Sequence, residues 1–135
     1  MNTEDQSLGD LLLDLFGNGD YSSRLRASHL VLDIIPEEER LSGIRQRLVK
    51  LFSSGLTEPE LGKKLKALRR EMFGLLEQPG QMTYPFRLTH LLLSFWLPDS
   101  EAHLYHCSEW IDEFFDLQKV DTSEVVRKLL RTQPN

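Results

Sequence analysis

His103, His106 and Cys107 form the densest group of side chains in this 135-residue chain that could bind a metal or move a proton. His103 and Cys107 are four residues apart, so a helix places them on one face, where two ligands can reach a single ion. A structural zinc site normally takes four ligands. Cys107 is the one cysteine, and His29 and His90 stand alone in the sequence. We therefore expect no metal and no cofactor. Cys107 also falls on an apolar stripe with Trp110, Ile111, Phe114 and Leu117, which directs its thiol toward a core where free cysteine acts as a small hydrophobe.

His106, Glu109, Glu113 and Asp116 follow 3-4-3 spacing on another face of the same helix. A carboxylate beside an imidazole can tune its proton affinity for acid–base work. No nucleophile or second catalytic group accompanies this set, so it is expected to be a solvated acidic face and the chain is not expected to be an enzyme. Neither phosphate-binding glycine pattern, G-x-x-x-x-G-K-[ST] or G-x-G-x-x-G, occurs. Asn18-Gly19-Asp20 does not open a calcium loop, because the position that needs a bidentate glutamate is His29.

Charge patterning is the stronger signal. The net charge of −5 conceals a segment, Arg40 to Glu71, with nine basic residues against three acidic ones. Lys63, Lys66 and Arg70 recur at 3-4 spacing along one outward helix side, Arg69 lies beside them, and Arg45, Arg47 and Lys50 flank them on the preceding helix. The natural complement is an acidic protein partner. The Glu109–Asp116 face of a second copy is one such patch, which would make a homo-oligomer. The alternative reading is a nucleic-acid-associated regulator that uses the same basic helix pair, joined at Ser53-Ser54-Gly55 as in a helix-turn-helix. The acidic balance of the whole chain and the lack of interleaved aromatic residues weigh against it.

Helices must position these groups. Leu41, Ile44, Leu48 and Leu51, and then Leu61, Leu65, Leu68, Met72 and Leu75, mark two amphipathic stripes. Ser7 caps a first helix ended by the Gly17–Asp20 cluster, and a second helix starts near Ser22 or Ser23. Pro36 opens a third, with Glu37, Glu38 and Glu39 in its first turn, where the helix dipole favours carboxylates. Thr57 and Glu60 form a capping box for a helix running to about Gln78. An apolar Phe86–Leu97 helix follows, then one from Asp99 or Ser100 to about Lys119, and a last one opened by Asp121 and Glu124. Leu8-Gly9-Asp10-Leu11-Leu12 and Leu88-Thr89-His90-Leu91-Leu92 share the leucine spacing of short docking helices. Both are expected to pack on their own domain.

The expected fold class is all-α: a compact single-domain helical bundle of six to seven helices over residues 1–135, frayed at 1–6 and 132–135. The apolar run Leu88–Leu97 is too short to span a bilayer, and the acidic N-terminus does not read as a signal peptide, so a cytoplasmic protein is expected. The functional expectation is a non-enzymatic protein-interaction module, an adaptor, regulator or subunit of a larger assembly.

Overall fold

A computed structural model describes residues 6–76 and 82–132. These form seven α-helices and no strand: α1 Leu8–Asn18, α2 Tyr21–Ile34, α3 Ser42–Phe52, α4 Glu58–Gly74, α5 Tyr84–Trp96, α6 Glu101–Leu117 and α7 Ser123–Thr132. A single hydrophobic core draws side chains from all seven. The all-α reading holds.

The caps explain why the helices begin where they do. Ser7 accepts from the Asp10 amide, and Asp10 returns the bond to the Ser7 amide, which satisfies two donors that a helix start leaves open. Asp20, two residues before the expected Ser22, caps α2 by accepting from Ser23 N–H at 2.8 Å. Thr57, Thr83 and Ser100 cap α4, α5 and α6 in the same way. The Thr57–Glu60 pair closes only partly as a box, since the Thr57 hydroxyl, not its amide, donates to the Glu60 carboxylate at 2.9 Å. α7 starts after Asp121, whose carboxylate accepts from Ser123 N–H at 2.9 Å, while Glu124 pairs with Arg127 instead of closing a box.

α5 is the central helix and packs against α1, α2, α4 and α6. Phe86, Leu88 and every residue from Leu91 to Phe95 are buried, so its apolar run is core on nearly all sides. Leu8, Leu11 and Leu12 are buried as well, so both short leucine motifs are internal packing. At the far end of α5, Trp96 donates from Nε1 to Ser28 Oγ at 2.8 Å and stacks on Phe52, and the Arg24 guanidinium lies 5.3 Å from its ring centroid.

Three local expectations give way to tertiary packing. Pro36 does not open a helix: residues 35–38 run extended, Glu39–Leu41 makes one 3-10 turn, and α3 starts at Ser42. The strap is held from outside. Arg45 donates to the carbonyls of Ile35 at 2.7 Å and Asp33 at 3.3 Å, and the Glu38 carboxylate accepts from Thr83 Oγ1 at 2.5 Å and from Arg40. α4 ends at Gly74, so Leu75 leaves the buried stripe of Leu61, Leu65, Leu68 and Met72 and is 38% exposed. The expected end near Gln78 lies outside the described residues.

The third change concerns α6. Its inward stripe is Leu104, Cys107, Ser108, Ile111 and Phe115, whereas Trp110 and Leu117 are 43% and 50% exposed. The cause is the docking of α1. A Cβ on Gly9 would sit 2.0 Å from the Ser108 carbonyl oxygen, so only glycine lets α1 approach this closely. Gly9 N–H donates to Asp112 Oδ1 at 2.8 Å, so a side chain of α6 helps to cap α1. This contact turns Ser108 and Asp112 toward α1 and leaves Trp110 and Leu117 on the open side.

Candidate interaction surfaces

The basic residues divide among three settings. Lys63, Lys66 and Arg70 lie opposite the buried stripe of α4, fully on the surface, and form no salt bridge among the described residues. Arg47 pairs with Glu71 across α3 and α4, on a groove of about 470 Å³ that Lys50 and Lys64 also line. Arg45 is half-buried and spent on the strap carbonyls, and Arg69 is half-buried on the α5 side of α4. Sequence spacing groups these seven cations; the fold leaves only Lys63, Lys66 and Arg70 as an open stripe.

Histidines and the cysteine separate in the same way. The Asp99 amide donates to His103 Nδ1 at 3.1 Å, which makes that nitrogen an acceptor and leaves Nδ1 without a proton to share with the Asp99 carboxylate at 3.8 Å. Cys107 is buried, and burial, with Asp99 nearby, pushes its thiol up to about 11. Burial first, then Arg69 and His103, hold the His90 imidazole below its usual range, so it stays uncharged at neutral pH while packing edge-on to Phe73 at 5.0 Å. Among the described residues no group of three histidine, cysteine or acidic side chains is arranged to hold a metal ion. No described helix is long and apolar enough to cross a membrane.

His106, Glu109, Glu113 and Asp116 are all exposed on α6. His106 stacks on Trp110 at 5.7 Å, so this acidic face carries an aromatic pair that charge spacing alone does not reveal. Trp110, Glu113 and Leu117 at 3-4 spacing share a side, and Phe114 next to them meets Tyr84 of α5 at 5.5 Å. Across α5, Phe73 of α4 packs on Phe86 and His90. Phe73, Tyr84, Trp110 and Leu117 are each more than a third exposed. Together they give the α4–α5–α6 side of the molecule an open apolar strip, with Lys66 and Arg70 on its α4 edge and Glu109 and Glu113 on its α6 edge. The signal that could have found it is the i, i+4 pair His106–Trp110 set among carboxylates.

A second concavity of about 870 Å³ lies between the 35–38 strap and α3. Ile35, Pro36, Leu41 and Val49 give it apolar walls, and Glu37, Glu39 and Lys50 are among its charged residues. Arg45 crosses it to reach the strap, so part of its polar lining is already committed to holding the fold.

Comparison of the chain with protein-family models, curated proteins and solved structures returns no match.

Proposed function

We propose that this protein is a non-enzymatic interaction module that docks onto another protein through charged and apolar helix faces. The observation that supports the reading is the exposed apolar strip across α4, α5 and α6, edged by cations on one side and carboxylates on the other. Large apolar side chains gathered on one face and rimmed by charge are the usual composition of a docking surface: aromatic anchors supply the binding energy, and the rim sets register and association rate. An adaptor, a regulator or a subunit of a larger assembly would each use such a face, in the cytoplasm or wherever its partner resides.

Charge reversal of Lys66 and Arg70 together, and separately Trp110→Ser, should each abolish capture of the bound partner from a lysate while circular dichroism stays unchanged. Capture that survives both changes refutes the choice of surface.

The open stripe of Lys63, Lys66 and Arg70 also supports a second reading, a nucleic-acid-associated regulator contacting phosphates without base selection. Binding to random duplex or single-stranded DNA, measured at low and high salt, separates the two. Absence of binding at low salt removes the second.

A further inference from the structure

We propose that the α4–α5–α6 face is the interface of a symmetric homodimer, with the basic edge of each copy seated on the acidic edge of the other. The inference rests on the interaction-module reading and names the partner: a second copy of this chain.

The strip has opposite charge at its two edges. On α4, Lys66, Arg70 and Phe73 follow 4-3 spacing and share a side. On α6, Trp110, Glu113 and Leu117 follow 3-4 spacing and share a side, with Glu109 one turn before Glu113. Each edge therefore carries charges of one sign beside large apolar groups. α5 lies between them, presenting exposed Tyr84 and Arg87 and half-buried His90.

A two-fold axis passing near Arg87 and His90 exchanges the edges. It brings Lys66 and Arg70 of one copy to Glu109 and Glu113 of the other, and repeats that pairing at the other end. In such an isologous contact every favourable pair occurs twice, and no edge meets its own sign. The aromatic strip closes on itself in the middle, where His90 is uncharged at neutral pH and Arg87 is the cation to be covered. Arg87 already lies over the Phe114 ring at 6.0 Å, which gives its charge an aromatic neighbour as water leaves. A foreign partner would have to reproduce both charge edges and the apolar centre, a pattern this chain already carries.

Sedimentation equilibrium of the full chain over a wide concentration range is the test. The expected result is a monomer–dimer equilibrium with no larger species, weakened by salt. Arg70→Glu alone and Glu113→Arg alone should each weaken the dimer by on the order of tenfold or more, because each places like charges together at both ends. An equimolar mixture of the two variants should restore a heterodimer, since one end then has the native pair and the other the reversed pair. Both side chains are exposed, so circular dichroism should remain that of the wild type. Trp110→Ser should weaken the dimer without altering its salt dependence.

A chain that stays monomeric throughout, a dimer indifferent to all of these variants, a mixture that fails to recover, or growth beyond two copies would each overturn the homodimer. If the homodimer falls while Trp110→Ser still abolishes capture of a different protein, the interaction-module reading stands without it. If capture is also unchanged, the homodimer and the choice of this face both fall.

Discussion

Asp112 holds a carboxylate in a half-buried position because it caps α1 from α6. Burial, the largest influence, raises its proton affinity above the ordinary carboxylate range, and hydrogen bonds from Ser7 and from the Gly9 amide offset this only in part. The folded state then binds the proton more tightly than the unfolded chain. This group therefore lowers stability at neutral pH, and the cost is relieved as pH falls through the carboxylate range. Asp112→Asn keeps an acceptor for Gly9 and removes the charge, so its urea midpoint should exceed the wild type near about pH 7, with the gap closing toward about pH 4. Asp112→Ala leaves the Gly9 amide without its partner and should cost about 1 kcal/mol near about pH 4, and less near about pH 7, where it also removes the unfavourable buried charge. Cys107 supplies a second test at this scale. A buried thiol held near 11 should resist maleimide at mildly alkaline pH and react only in denaturant. Rapid labelling of the native protein would contradict the packing described here.

The contact between α1 and α6 depends on the missing Cβ of Gly9. Gly9→Ala forces a methyl group into the Ser108 carbonyl and should destabilise the fold by about 3 kcal/mol, the upper end of overpacking costs. Hydrogen exchange of α1 amides should rise most, because that helix must withdraw from its seat. At its other end α6 closes in a Schellman motif, with Lys119 N–H donating to the Asp116 carbonyl and Val120 N–H to that of Phe115. Lys119 holds φ 57° there, a left-handed conformation that glycine adopts freely. Lys119→Gly should raise stability by about 1 kcal/mol, read as a shift in denaturation midpoint at unchanged slope.

For the whole molecule, a dimer that binds only folded chains must stabilise them by mass action. The thermal midpoint should therefore climb as the protein is concentrated, and Arg70→Glu should flatten that dependence. A midpoint independent of concentration in the wild type would argue against any self-association.

Helix number, the central place of the Leu88–Leu97 run and most of the caps were legible in the chain itself. Each rests on contacts within a turn or two: Ser7 with Asp10, Ser100 with the His103 amide, and leucines at helical spacing along α4. The open cations at Lys63, Lys66 and Arg70 were legible for the same reason, since they lie opposite a clear apolar stripe. Tertiary structure decided the rest. The 35–38 strap is extended because Arg45 and Thr83, ten and forty-five residues from their partners, take up groups that a helix start at Pro36 would otherwise leave to local bonds. α6 offers two adjacent apolar stripes of similar merit, and periodicity cannot choose between neighbours one residue apart. The choice fell to Gly9, which admits the Ser108 backbone and turns Trp110 and Leu117 outward. Local spacing fixes which residues share a helix side; which side faces the core is set by the shape of the helix that packs against it.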